Sequence, residues 1–345
     1  MGRRVLVTGL GSFWGGRVAQ ALEADPDVEV IVGLDTREPS VPLDRTEYVR
    51  ADEGYSILSR IVRATQVDTI VHTFLAVDSS QVSGRQMHET NVIGTMNLFA
   101  AAGQPESRVR HVVVKSSTLV YGASHADPVW FDEDSRRSAF PRYRVERSLL
   151  EVEGYVRDYA ADNPDVTVSL LRFSNVLGED IVTPLTKALE LPLVPCVFGY
   201  DPRVQFVDEV DVVRAILFVL DNDLGGTFNV TGDGMLPWSE VAAICGKRLL
   251  PLPPVGRIMV SSVLGRLGID LPPEVLDLLT YGRGADNRRL KHAGFAYRHT
   301  SAGAIHAFAE AARLRGAVGE RVSYRYERDV EQFFRHSPAV VRERG

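Results

Sequence analysis

Val5-Leu6-Val7-Thr8-Gly9-Leu10-Gly11-Ser12-Phe13-Trp14-Gly15-Gly16 is the stretch that decides the fold. A short β-rich run enters a cluster of glycines, and Trp14 to Leu22 then reads as a helix. Glycine belongs in such a turn because the backbone must reverse tightly and approach a pyrophosphate closely. The helix that follows offers unpaired N–H groups and partial positive charge to the phosphates. Asp35 lies twenty residues after Gly15, at the end of Val30-Ile31-Val32-Gly33-Leu34. A carboxylate there accepts hydrogen bonds from the adenosine ribose hydroxyls. It would also repel a 2′-phosphate, so NAD is favoured over NADP, with Arg37 partly offsetting the repulsion.

Outward from this turn, strands and helices alternate. Val5–Thr8, Val28–Leu34, Thr69–His72, His111–Lys115 and Val166–Phe173 read as buried strands, and Tyr55–Thr65 as an amphipathic helix between two of them. Apolar strands separated by helices predict a doubly wound parallel sheet, the α/β Rossmann class. Beyond about residue 175 prolines cluster and strands become sparse, which predicts a smaller, irregular C-terminal substrate domain. The expected division is 1–174 plus about 205–232 for the Rossmann domain. About 175–204 plus 233–320 then form the substrate domain, and 321–345 a mixed-charge tail.

Composition narrows the function. A net charge of −6 gives no reason to expect a nucleic-acid partner. No run of about 18 apolar residues is present, so no membrane span is expected. Cys196 and Cys245 make neither a disulfide framework nor a zinc spacing, and the histidines include no ligand pair; no metal is expected, and a cytoplasmic location is.

The chain resembles the extended short-chain dehydrogenase/reductase family, the NAD-dependent epimerases and dehydratases similar to bacterial UDP-glucose 4-epimerases. Thr8-Gly9-Leu10-Gly11-Ser12-Phe13-Trp14-Gly15 is similar to the family's Thr-Gly-x-x-Gly-x-x-Gly, with Ser12 in place of the middle glycine. Ala51-Asp52 resembles the family's acid beside the adenine amine, and His72-Thr73-Phe74-Leu75-Ala76 its strand against the coenzyme. Asn91-Val92-Ile93-Gly94-Thr95-Met96-Asn97-Leu98 is similar to the family helix. So are Leu171-Arg172-Phe173-Ser174-Asn175-Val176-Leu177-Gly178 and Phe206-Val207-Asp208-Glu209-Val210 to its later landmarks. The resemblance implies coenzyme contacts from Thr8, Gly9, Gly11, Ser12, Phe13, Trp14, Gly15, Asp35, Asp52, Phe74, Leu75, Ala76 and Asn91.

It also implies a catalytic set. Ser117 corresponds to the residue that orients the substrate oxygen, with Thr118 adjacent, and Tyr143 to the proton carrier. Tyr143 and residue 147 would also hold the coenzyme, but position 147 is Arg147 where the family has lysine. Arginine keeps the charge at one helical turn from the tyrosine, yet it cannot give up a proton and its planar fork aims differently. Asn175 and Arg203 are the further substrate residues the resemblance suggests, for a nucleoside-diphosphate sugar. Val145, Leu149, Val152, Val156 and Tyr159 form a helical stripe suited to packing against the Asn91 helix of a second subunit, so a homodimer is expected.

Three functions fit these residues. One is a nucleotide-sugar epimerase. Another is an NAD-linked alcohol dehydrogenase or ketone reductase on a small substrate. The third is a non-catalytic NAD-binding regulatory protein.

Overall fold

In the computed structural model, residues 2–77, 82–254, 257–266 and 271–318 are described; the expected tail at 321–345 lies outside them. Seven strands form the central sheet: β1 (Arg3–Thr8), β2 (Val28–Asp35), β3 (Thr46–Arg50), β4 (Thr69–His72), β5 (His111–Ser117), β6 (Thr167–Phe173) and β7 (Gly226–Val230). Their order is β3-β2-β1-β4-β5-β6-β7, and every neighbouring pair is parallel. The chain therefore winds first one way from β1 and then the other, which leaves a crevice at the carboxyl ends of β1 and β4.

Parallel neighbours need crossovers, and helices supply most of them. On one face α2 (Tyr55–Thr65), α3 (Gly94–Ala102) and α4 (Arg144–Asp162) cover the sheet through Leu58, Val62, Leu98, Phe99, Leu149 and Val152. On the other, α1 (Phe13–Glu23) and α5 (Glu209–Asp221) contribute Val18, Leu22, Val212, Ile216 and Val219. With both faces covered, β1, β4 and β5 are buried almost end to end, as their apolar sequences require.

One expectation is corrected, and one strand is additional to those read from the sequence. The edge strand β3 was not anticipated, because Thr46-Glu47-Tyr48-Val49-Arg50 is polar and half-exposed, as edge strands are. The apolar stripe of α4 is consumed inside the chain. Val145, Leu149 and Val152 are fully buried against the sheet, and Tyr159 stacks on Phe99 with ring centroids 4.6 Å apart. The stripe is therefore not free to pair with a second subunit.

The C-terminal half builds a third core from Leu177, Leu185, Val204, Phe206, Trp238, Leu276, Leu279 and Phe308. The segment 205–232 divides between cores: Phe206 joins this third cluster, whereas Val207, Val212 and Phe228 pack on the sheet. Among the described residues no helix is long and apolar enough to cross a membrane.

His72 ties the sheet to α3. Its Nδ1 meets Thr8 Oγ1 at 2.8 Å and its Nε2 meets Thr95 Oγ1 at 2.9 Å. Thr95 in turn donates to the Asn91 carbonyl, so the ring fits best as a neutral Nε2–H tautomer. Burial, and then the charge of Lys115, pushes the imidazole down to about 3. Below the unfolded value of 6.5 the unfolded chain binds the extra proton, so stability falls as pH drops from 6.5 towards 3. Each unit of that window is worth roughly 1.4 kcal/mol at most. Thermal unfolding at pH 7 and pH 4.5 should show a smaller acid loss in His72→Asn than in the wild type; equal losses would remove His72 as a source.

Candidate active site

The turn after β1 is set by backbone crowding. Gly9 has φ +76°, and a Cβ on it would lie 2.4 Å from Phe74 Cβ and 2.6 Å from the Phe74 nitrogen. A Cβ on Gly15 would lie 2.1 Å from the Gly9 carbonyl oxygen, so neither position admits a side chain. Ser12 caps α1: its Oγ accepts from the Gly15 N–H at 3.1 Å and donates to the Gly9 carbonyl at 2.6 Å. A serine thus does here, through its hydroxyl, what a helix start ordinarily needs from its N-cap. Phe13 and Trp14, whose first-turn N–H groups have no acceptor within the helix, line the cleft.

Asp35 stands across the turn, buried at the end of β2. Its Oδ2 accepts from the Gly11 N–H at 3.0 Å and its Oδ1 from the Arg37 N–H at 2.9 Å. A carboxylate has about four acceptor sites; among the described residues, besides these two N–H groups only Thr36 Oγ1, at 3.5 Å, donates to Asp35, so acceptor capacity remains for a ribose diol. The Arg37 guanidinium is 4.0 Å away and largely exposed.

A cleft of about 1100 Å³ runs from Asp35, Asp52 and Glu53 past Gly11–Trp14 to Thr73–Val77 and Lys115. Glu53 is held up at about 7, first by burial, with the charges of Asp35 and Asp52 adding to it. Phe74 forms part of the floor, wedged between Gly9 and Gly94: a Cβ on Gly94 would come within 2.7 Å of its ring. Asn91, in a π-turn (Glu89–Ile93) leading into α3, clamps the neighbouring loop. Its Oδ1 accepts from the Ala76 N–H at 2.7 Å and its Nδ2 donates to the Ala76 carbonyl at 2.8 Å. The space, the glycine cradle and the free acceptors of Asp35 together fit an adenine dinucleotide.

Of the residues the resemblance assigned to the coenzyme, Gly11, Ser12, Phe13, Trp14, Asp35, Asp52, Phe74, Leu75 and Ala76 line this cleft. Thr8 and Asn91 are buried and are hydrogen-bonded to His72 and to the Ala76 backbone respectively. Gly9 and Gly15 act by leaving room.

A second cavity of about 130 Å³ adjoins the far end. It shares Trp14, Val77, Lys115, Ile181, Thr183 and Pro184 with the cleft. Ser117 and Asn175 line it, the latter with its Nδ2 on the Gln205 carbonyl at 2.9 Å. Thr118 is buried instead at the start of a 3₁₀ turn, Thr118–Tyr121. Tyr143 and Arg147 are not among the lining residues of either space. Tyr143 is the N-cap of α4, and its hydroxyl donates to Asp277 Oδ2 at 2.7 Å. Asp277 sits on the helix Pro273–Tyr281, whose Glu274, Val275 and Leu278 wall the second cavity. Arg147 is exposed and donates to the Arg142 carbonyl at 3.4 Å.

Arg203 is exposed on a two-residue strand, Arg203–Val204, and does not line the cavity. Arg283 does. It is buried, donates to the Gly122 carbonyl at 3.1 Å, and burial lowers it to about 10. Nothing in Gly282-Arg283-Gly284 announces this role, since the arginine arrives through its pairing with the 203–204 strand. A buried network behind Ser117 also went unread. Arg172 makes a two-pronged pair with Glu153 at 3.0 and 2.7 Å and bonds the Tyr121 hydroxyl at 2.8 Å, while Glu153 accepts from Ser116. Among the described residues no group of three or more His, Cys, Asp or Glu is placed to hold a metal ion.

Comparison with known proteins agrees with this geometry. Residues 5–231 match the NAD dependent epimerase/dehydratase family. An uncharacterized protein of Mycobacterium tuberculosis is 36% identical over 294 residues, covering 83% of this chain and 78% of that one. UDP-glucose 4-epimerase 3 of Oryza sativa is 31% identical over 193 residues, 51% of this chain and 50% of the other. Among solved structures, MoeE5 in complex with UDP-glucuronic acid and NAD superposes with a TM-score of 0.69 at 22% identity, covering 90% of this chain and 99% of MoeE5. The chain belongs to the NAD-dependent epimerase/dehydratase family, and NAD is its coenzyme.

Proposed function

We propose that the protein is an NAD-dependent epimerase acting on a nucleoside-diphosphate sugar, in the manner of a UDP-glucose 4-epimerase. The observation that carries this reading is the junction of the two spaces. The coenzyme cleft ends where Lys115 and Trp14 also wall the second cavity, so a ligand beside Ser117 would meet the reactive end of the dinucleotide. The match to a plant UDP-glucose 4-epimerase and the likeness to MoeE5, whose structure holds UDP-glucuronic acid, support the substrate class.

Bound NAD supplies a hydride acceptor and donor at this junction. The chain's own part is to hold an alcohol oxygen and its proton there. Ser117 orients the oxygen by hydrogen bonding. Tyr143 carries the proton once its hydroxyl exchanges Asp277 for the substrate. Arg283 and Asn175 provide donors for the sugar or its diphosphate.

A second reading has its own support. Leu119, Phe173, Val176, Ile181, Leu185, Val275 and Leu278 make much of the small cavity apolar, which suits an NAD-linked dehydrogenase of a compact, less polar alcohol.

Assays separate the two. An epimerase interconverts UDP-glucose and UDP-galactose, or the corresponding uronic acids, without added coenzyme and without net change at 340 nm; a dehydrogenase consumes NAD in step with its alcohol. Absence of any interconversion by NAD-loaded protein would overturn the epimerase reading. Within it, Ser117→Ala and Tyr143→Phe should each lower kcat by about 100-fold while the far-ultraviolet circular dichroism is unchanged. Asp35→Ala should weaken NAD binding by about tenfold or more and narrow the preference over NADP, measured by fluorescence titration; unchanged affinity would contradict the ribose assignment.

A further inference from the structure

Lysine is rare in this chain: four lysines stand among 39 basic residues. One of them, Lys115, is placed in the interior. It follows Val112-Val113-Val114 in β5 and is 6% exposed, yet it lines both the coenzyme cleft and the adjoining cavity. Its ammonium donates to the Leu75 carbonyl at 3.2 Å. Among the described residues no carboxylate forms an ion pair with it. Burying an ammonium without a counter-charge costs several kcal/mol, so the site is unfavourable for a lysine that only packs. An ammonium has three protons, and the Leu75 carbonyl takes one. The other two are available to whatever occupies the two spaces.

We propose that Lys115 is the cation of the reacting centre, contacting the substrate oxygen beside the nicotinamide end of the coenzyme and stabilising the negative charge that oxygen carries once its proton has passed to Tyr143, before hydride leaves the carbon to give the carbonyl, and again when hydride returns to that carbonyl. The proposal rests on the oxidoreductive reading above. It gives the centre the positive charge that Arg147, exposed and bonded to the Arg142 carbonyl, does not bring to the cavities. Lys115 and Ser117 are two apart in β5 and so share a face of the sheet, both on the cavity that the substrate would enter. A preorganised charge in a site that excludes water acts strongly on a developing oxyanion.

Burial holds the ammonium down at about 8. The charged and titratable groups that share its two spaces are Asp35, Arg37, Asp52, Glu53, Glu89 and Asp180 in the cleft and Glu274 and Arg283 in the smaller cavity, with His72 beside it on β4. His72 is neutral above about 3, so Lys115 keeps its own proton at pH 7 and loses it as pH rises through about 8. Turnover should fall on that limb. Arginine does not deprotonate there, so Lys115→Arg should lack it.

The test begins without turnover. Reductive ¹³C-methylation of the nucleotide-free protein, read by NMR, labels the few lysines, and the Lys115→Arg variant identifies the Lys115 resonance. Adding NAD⁺ should shift that resonance, leaving Lys247 and Lys291 unmoved. A Lys115 resonance indifferent to NAD⁺ overturns the proposal. In turnover, Lys115→Met should lose about 100-fold in kcat with the Kd for NAD⁺ within about threefold of wild type. Lys115→Arg should recover part of the loss and abolish the alkaline limb. Wild-type kcat in Lys115→Met, or the same alkaline limb in Lys115→Arg, also overturns it. A wild-type protein that shows the NAD⁺-induced shift but converts no nucleotide sugar upholds the placement of Lys115 and counts against the epimerase reading instead.

Discussion

Backbone meets backbone where β1 turns into α1, and the rest of the site depends on that contact. The Gly9 carbonyl lies where a Cβ on Gly15 would be, and Phe74 lies where one on Gly9 would be. The turn at 9–15 and the distant loop at Phe74 are drawn together because two residues have no side chain. Ser12 then closes the arrangement by bonding both glycines at once. Asp35 fixes its outer edge through the Gly11 N–H. The result is a helix start presented to a cleft, flanked by a carboxylate with acceptors to spare.

Around this turn the sheet order determines what can meet. Because β4 and β2 lie on either side of β1, the loop after β4 forms the opposite wall of the crevice. His72 and Asn91 keep that loop in place from behind, one by bridging Thr8 to Thr95 and the other by clamping Ala76. Further along, the ion pair of Arg172 with Glu153 supports the end of β5 through Ser116, whose hydroxyl donates to Glu153. Such a buried pair is held by geometry on both sides, so it contributes rigidity at Ser116 and Ser117 more than net stability.

Much of this was legible in the sequence because it depends on local requirements. The glycines of the turn, the acid closing the second strand and the apolar runs of the parallel strands each have a short-range physical cause, and each is found where its spacing predicts. What escaped depends on partners far away. The stripe on α4 has a clear period, but a period does not say whether the facing surface belongs to the same chain. Tyr143 sits at the expected spacing, yet its hydroxyl is directed by Asp277, 134 residues later. Arg203 was the arginine the pattern suggested, and Arg283 is the one the fold buries in the cavity wall. Lys115 reads in sequence as the polar end of a valine strand; only the juxtaposition of two cavities gives it a chemical setting.

The central claim is that the first half of the chain is shaped to hold an adenine dinucleotide with its diphosphate on the first turn of α1. Isothermal titration of NAD⁺ into nucleotide-stripped, folded protein tests it most directly. The account predicts saturable uptake of one NAD⁺ per chain, tighter than that of NADP⁺. Folded protein that binds neither would contradict it.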